Sequence, residues 1–358
     1  MNAAAQSYGL EGARPGGMGG AYAAISDDAQ GIFYNPAGLV HSPQRLLLSF
    51  GVQSLFSAGL PLQNDFSNEG ALVASHAGVV YNRLTRPNQT LPVLVLGSPA
   101  LPENYLAERE LAPTTNVFSF GAIGGVLRTG LLDQFLLAAF FSKGFFPRMD
   151  VRAATNHLPH RLAVSVTGKL TGLQYDGDLL DKAQVNSQDE LIALRDYFAE
   201  HGHSRFSAGL DVGVMAMIHP RAQVAFTCSN LLRPNLALEG KAWAPRRLRL
   251  GLALALHQRR QWLLACDAER DETLQQWRFY LGTETVLPQI APEIFRLRLG
   301  LNHNWFAAGF KLARPSWVEL DYAFMFPSFF QHGRPEGFFN HRFSLSFSQP
   351  ASAQRPGK

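Results

Sequence analysis

From Arg45 to the C-terminus, the chain repeats short segments in which apolar residues alternate with polar or small ones. Residues 247–256, RLRLGLALAL, place five leucines on one side and arginine, glycine or alanine on the other. Residues 318–326, VELDYAFMF, show the same alternation with aromatic side chains. Because the side chains of a β-strand point alternately to its two faces, this pattern predicts strands with one apolar face.

The number of such segments indicates a barrel. Fifteen segments fit the pattern, but a single-chain bacterial barrel has an even number of strands. Segment 91–98 contains Pro92, which cannot donate to a sheet, so we exclude this segment. The fourteen predicted strands lie near 45–57, 70–82, 116–127, 133–145, 161–175, 205–218, 222–232, 246–257, 261–269, 276–286, 294–302, 304–312, 316–326 and 339–348.

Composition agrees with strands that face lipid. Hydrophobic residues make up 46% of the 358 residues and charged residues only 17%, which is below the usual share of about 25%. No apolar run reaches the roughly 18 residues of a membrane-spanning helix. We therefore predict an all-β, antiparallel transmembrane barrel. A soluble β-sandwich, with the leucine and phenylalanine faces as its core, is the alternative. The arginines are spread along the strands, which argues against nucleic-acid binding.

The N-terminal residues 12–39, GARPGGMGGAYAAISDDAQGIFYNPAGL, predict a compact irregular segment. Their glycines permit positive φ and close backbone approach, and their prolines remove donors. A phosphate loop would need Gly-Lys-Ser/Thr after the glycines, and a dinucleotide site would need a strand before them; a flexible leader would lack so many apolar residues. The candidate plug or ligand-contacting residues here are Arg14, Met18, Gly19, Tyr22, Asp27, Asp28, Phe33, Tyr34, Asn35 and Pro36.

Charges on the small-residue faces of the strands alternate in sign between neighbouring strands. Antiparallel pairing brings Arg247 and Arg249 to the same end as Asp267 and Glu269. At the other end it brings Glu284 near Arg296 and Arg298. Opposite charges paired across strands suit a polar lumen. The predicted lumen charge network comprises Arg247, Arg249, Asp267, Glu269, Arg278, Glu284, Arg296, Arg298, Glu319 and Asp321.

Two long connections, near 176–204 and 327–338, are expected on the extracellular side. Within the first, residues 189–201 predict a short amphipathic helix, preceded by a capping-box spacing. Its apolar face could pack locally, cover the barrel mouth or contact a partner, through Leu191, Leu194, Tyr197 and Phe198. His201 and His203 supply only two possible metal ligands, so no metal site is expected.

The N-terminal segment, which ends in Asn35-Pro36-Ala37-Gly38-Leu39, resembles the signature of the FadL/PorV superfamily of bacterial outer-membrane barrels. Shorter matches to that superfamily follow in order: 225–231 AFTCSNL, 247–252 RLRLGL, 282–284 GTE, 297–301 LRLGL, 320–323 LDYA and 341–347 HRFSLSF. The pattern is most similar to the PorV/PorQ branch, from which Leu232 and the 176–204 insertion depart. The resemblance implies a plug over residues 1–42 inside a barrel over 43–350, with a tail over 351–358.

The resemblance implies two non-enzymatic functions. FadL-type barrels take up hydrophobic small molecules through a plugged lumen, whereas PorV-type barrels are accessory subunits of protein secretion or surface attachment. The expected partners are outer-membrane lipid, a hydrophobic small molecule, and other outer-membrane or secreted proteins; no cofactor is expected. Residues 1–6 lack a basic, apolar leader, so an outer-membrane location requires an export signal upstream, either removed on maturation or not included in this sequence.

Overall fold

The computed structural model describes residues 12–41, 44–57, 72–85, 116–128, 132–145, 161–175, 196–219, 221–238, 240–256, 262–272, 275–286, 295–303, 305–313, 318–327 and 338–350. Fourteen strands lie in this part of the chain, each within a few residues of its prediction; segment 91–98 lies outside it. The strands are β1 Gln44–Ser57, β2 Leu72–Thr85, β3 Asn116–Arg128, β4 Leu132–Phe145, β5 Arg161–Tyr175, β6 Ser204–His219, β7 Ala222–Ser229, β8 Arg247–Ala255, β9 Trp262–Asp271, β10 Trp277–Val286, β11 Phe295–Asn302, β12 Trp305–Ala313, β13 Val318–Pro327 and β14 Phe338–Pro350.

The strands form one closed antiparallel barrel. Each strand pairs with its sequence neighbours, and β1 pairs with β14 to close the sheet. We call the end at which β1 begins and β14 finishes the terminal end, where Gln44 lies opposite Pro350, and the other end the far end. Helices of the described residues are too short or too polar to cross a bilayer.

The two faces of the barrel differ as the alternation predicts. On β8, Leu248, Leu250 and Leu252 are exposed on the outer face, whereas Gly251 and Ala253 are buried on the inner face. The same contrast of exposed leucine or phenylalanine with buried small or charged residues recurs on β5, β10 and β14. The β-sandwich alternative is therefore wrong, because a sandwich would bury its leucine and phenylalanine faces.

The described part of the N-terminal segment, residues 12–41, packs against the inner face. It begins with a helical turn, α1 (Ala13–Gly17), and ends with two 3₁₀ turns, Ala29–Phe33 and Pro36–His41. Helix α1 contacts β11 to β14, and the last turn contacts β3 to β6. The segment thus crosses the inside of the barrel, and nearly all its described side chains are buried.

Candidate functional site

Glycines of the inner wall let the backbone of the N-terminal segment approach the strands closely. Gly17 lies against Gly309 of β12, so that a Cβ added to Gly17 would be 3.4 Å from the Gly309 Cα. Gly19 has φ +64°, and a side chain on it would collide with the backbone nitrogen of Leu301. A Cβ on Gly300 would in turn collide with the Gly19 nitrogen. Glycine within a strand often marks such an approach by a second backbone.

Arg14 fixes this segment to the wall through a buried carboxylate. Its Nε donates to Oε2 of Glu284 on β10 at 2.9 Å, and its Nη1 donates to Asp28 at 3.1 Å and to the Tyr22 hydroxyl at 3.0 Å. Asp27 completes the set of acceptors around Nη1. The guanidinium therefore joins two parts of the segment to one strand of the barrel.

Glu284 is shared with two arginines of the neighbouring strand. Arg296 donates to its Oε1 at 2.8 Å and Arg298 to its Oε2 at 2.7 Å. Arg298 also donates to Asp321 of β13. A buried carboxylate that accepts from three guanidinium groups is compensated for the loss of its hydration.

Burial changes the acidity of groups in the segment itself. It raises the pKa of the Asp28 carboxyl above its usual value, and the adjacent Arg14 guanidinium opposes that rise. Burial also raises the pKa of the Tyr22 hydroxyl. Burial thus favours the uncharged form of both groups.

A second ionic cluster fixes the middle of the segment to β8 and β9. Arg249 donates from Nε to Oε2 of Glu269 at 2.9 Å and from Nη2 to the same oxygen, and its Nη1 donates to the Gly20 carbonyl at 3.1 Å. The Arg249 guanidinium lies 5.1 Å from the Tyr34 ring centroid, which is cation–π range. Asp267 accepts from the backbone nitrogens of Tyr22 and Ala23, each at 2.9 Å.

Asn35 fixes the last part of the segment. Its amide nitrogen donates to the carbonyls of Ala23 at 3.2 Å and Val214 at 3.1 Å, and its oxygen accepts from the Ala37 nitrogen at 3.2 Å. The neighbouring Pro36 carbonyl accepts from the Ser142 hydroxyl at 2.8 Å. Asn35 therefore joins two turns of the segment to β6.

Asn35→Ala is expected to loosen this corner, because the Ala23 and Val214 carbonyls and the Ala37 nitrogen lose their bonds to the side chain, at a cost of about 1–3 kcal/mol. Limited proteolysis should cut the N-terminal segment faster than in the unmodified protein. Asn235→Ala is the matched control, since Asn235 also makes three side-chain bonds but lies in a connection at the far end. Equal protection of the segment in both variants would contradict the assigned role of Asn35.

The apolar candidates of the segment pack with the wall and with each other. Met18, Tyr22 and Tyr34 form one cluster with Ala265 and Tyr280, and the half-buried Phe33 packs at its edge. The rings of Tyr22 and Tyr34 meet edge to face at 5.3 Å. These contacts are those of a packed interior.

The remaining predicted residues fall into separate places. Arg278 lies opposite Glu269 and Arg247 opposite Asp271 in the sheet register, whereas Glu319 pairs with Lys311 at 2.7 Å. Tyr197 and Phe198 lie in a helix at 196–201. The Tyr197 ring stacks on His201 at the end of this helix, and the Phe198 ring stacks on His203 just after it. Leu191 and Leu194 lie outside the described residues. Among the described residues, no group of three or more His, Cys, Asp or Glu side chains could hold a metal ion.

Sequence reasoning missed the glycines of the wall. Gly282, Gly300 and Gly309 lie on three successive strands and all face the segment. At Gly282 and Gly300 the segment is too close for a side chain, and a Cβ on Gly309 would be 3.2 Å from the Gly17 Cα. Their only signal is a glycine inside an otherwise regular strand, which indicates a close neighbour without identifying it.

An apolar cavity of about 930 Å³ lies elsewhere on the barrel. Exposed outer side chains line much of it, including Phe50, Leu137, Leu170, Phe206 and Phe343. Glycines of β3 and β5 also line it. Buried, inward-facing residues such as Gly51 and Ser344 line it as well, so residues of both faces of the wall contribute to this cavity.

A closed antiparallel barrel with an apolar outer face and a charged interior is the architecture of transmembrane β-barrels. No family model and no curated protein matches the chain. Solved structures with a similar fold include the Ralstonia pickettii toluene transporter TbuX (TM-score 0.58, 13% identity, 95% of this chain and 99% of that chain). A second is the monoaromatic hydrocarbon channel CymD, with a TM-score of 0.54 and 15% identity over 95% of this chain and 97% of that chain. A third is the Pseudomonas putida toluene transporter TodX, with a TM-score of 0.52 and 11% identity over 96% of this chain and 98% of that chain. At such low identity the similarity shows the fold alone.

Proposed function

We propose that this protein is a non-enzymatic channel of the bacterial outer membrane, which passes hydrophobic small molecules through a lumen closed by its N-terminal segment. The observation that carries the proposal is the packing of residues 12–40, nearly all of them buried, against the inner faces of most strands. In this proposal residues 1–42 are the plug, residues 43–350 the barrel and residues 351–358 a tail. The terminal end faces the periplasm.

The outer face supports a membrane location. Trp262 of β9 and Trp277 of β10 are exposed on it at opposite ends of one strand pair. They lie about eight residues apart along β9, or about 27 Å at 3.4 Å per residue. With a strand tilt of about 40° this gives a band of about 20 Å, near the height of the apolar belt of outer-membrane barrels.

The interior supports a hydrophobic rather than an ionic cargo. The charged groups nearest the segment pair with each other, as Arg14 does with Glu284 and Arg249 with Glu269. Besides these ion pairs and uncharged hydrogen bonds such as that of Asn35, three apolar clusters join the segment to the wall. Two of the neighbouring structures are named toluene transporters and a third a monoaromatic hydrocarbon channel. We therefore infer that the cargo is an uncharged hydrophobic molecule of that size.

The PorV-type accessory role finds no support among these neighbours. Tyr197 and Phe198, for which local packing, covering of the barrel mouth and partner contact were all open, stack on histidines of the same connection. We accordingly rank the channel above the accessory subunit.

Cell fractionation and gel mobility should show a folded barrel. We expect the protein in the outer-membrane fraction, and we expect the unboiled sample to migrate faster than the boiled one, because a closed barrel with paired strands resists detergent until heated. Recovery in the soluble fraction with mobility unaffected by boiling would contradict the membrane assignment.

Uptake of radiolabelled toluene tests the transport function. A strain without its own hydrocarbon channels should take up toluene faster when it expresses this protein than when it expresses an unrelated barrel at equal abundance. Equal initial rates, with this protein shown to be folded in the outer membrane, would refute the proposed cargo.

A further inference from the structure

The described residues of the connection between β7 and β8, 230–238 and 240–246, form a hairpin at the far end. Asn235 and Trp243 form a β-bridge, Leu236 donates to the Ala242 carbonyl at 3.0 Å, and Ala244 donates to the Pro234 carbonyl at 2.8 Å. Exposed apolar side chains on this hairpin include Leu232 and Trp243. We call residues 230–246 the rim hairpin.

Arginines lie where this hairpin meets the outer face. Arg270 is exposed at the far end of β9, opposite the outward-facing Leu248, with its guanidinium 6.0 Å from the Trp277 ring centroid. Arg246 immediately precedes β8 and lies two residues before the outward-facing Leu248, so it is on the same face. Its Nε donates to the Leu231 carbonyl at 3.3 Å.

The cationic charge at this rim exceeds the nearby anionic charge. Arg233 of the rim hairpin is 3.7 Å from Glu272, a long ion pair between two exposed side chains. Neither Arg246 nor Arg270 is in an ion pair with a described side chain. Among the described exposed side chains of the rim hairpin and the adjoining end of β9, Arg233, Lys241, Arg246 and Arg270 are cationic and Glu272 is anionic. These cations lie next to the apolar outer wall.

We propose that Arg233, Arg246 and Arg270 bind the phosphate groups of an outer-leaflet glycolipid of the lipid A class. Guanidinium groups form strong charge-assisted hydrogen bonds with phosphate. Leu248 and Phe279, exposed just below the arginines, lie where the acyl chains pack. A glycolipid with two phosphates matches three arginines better than a phospholipid with one. This inference rests on the proposed function, because that function places the far end in the outer leaflet.

Native mass spectrometry of the purified barrel in detergent tests this site with three lipids: bisphosphorylated lipid A, dephosphorylated lipid A and phosphatidylglycerol. We expect bisphosphorylated lipid A to remain bound most tightly, and the double variant Arg246→Gln/Arg270→Gln to bind it about tenfold more weakly, since two charge-assisted contacts are lost. Arg221→Gln, in the turn between β6 and β7 at the opposite end, should bind it like the unmodified protein.

Unchanged binding in the double variant would overturn the inference, as would equal binding of dephosphorylated lipid A or phosphatidylglycerol by the unmodified protein. Both variants are first checked for the faster migration of the unboiled barrel, so that misfolding is not mistaken for a lost site. Because binding is measured in detergent, its failure is distinct from a failure of toluene uptake in cells.

Discussion

Gly300→Ala is expected to open the lumen. The added methyl group would lie 2.0 Å from the Gly19 nitrogen. Because the clash is with backbone atoms rather than with the end of a side chain, we expect the segment to be displaced. Overpacking of this kind costs about 1–3 kcal/mol, which would shift the balance between the seated and displaced segment by about 5- to 150-fold. Conductance in planar bilayers should rise by a comparable factor.

Gly168→Ala is the matched control for this substitution. Gly168 is exposed on β5, and an added Cβ would meet nothing within 4 Å. This variant should conduct like the unmodified protein. If Gly300→Ala conducted no more than Gly168→Ala, the segment would not depend on the glycine contact that we describe.

Glu284→Gln is expected to destabilise the protein and to release the first turn of the segment. The carboxylate, which is almost fully buried, accepts from Arg14, Arg296 and Arg298. Removing one partner of a buried ion pair typically costs about 3–5 kcal/mol. We expect a lower midpoint of urea unfolding, followed by tryptophan fluorescence, and faster proteolysis of the segment.

Glu319→Gln is the matched control, because it removes an ion pair between two wall strands and leaves the ion pair between Arg14 of the segment and Glu284 intact. Glu319 pairs with Lys311 between β13 and β12, and both side chains are less than one-fifth exposed. This variant should lose some stability but keep the segment protected from protease. Equal protease sensitivity in the two variants would show that Glu284 has no special role in holding the segment.

The strands were predictable from the sequence because their signal is local. The alternation in 247–256 requires only that successive side chains face opposite sides, and β8 occupies Arg247–Ala255. The same pattern places opposite charges on one face at matching strand ends, so contacts such as that of Glu284 with Arg298 could also be expected. Alternation alone does not fix the register, because a shift of two residues leaves every side chain on its face. The even number of strands came from closure of the barrel and not from any single segment.

The contacts of the N-terminal segment could not be predicted in the same way. Arg14 and Glu284 are 270 positions apart, and no periodicity relates an irregular segment to a strand. The glycine-rich sequence indicated a close neighbour but not which strand provides it. Gly300 on the wall and Gly19 in the segment fit only after both are placed in three dimensions.

The central claim is that the leucine faces contact lipid while the opposite faces contact the segment. A nitroxide scan along β8, from Leu248 to Leu254, in a variant with Cys228 and Cys266 replaced, tests it most directly. In lipid bilayers the account predicts high accessibility to oxygen at 248, 250, 252 and 254, and low accessibility at 249, 251 and 253. Uniform accessibility, or maxima at the odd positions, would contradict it.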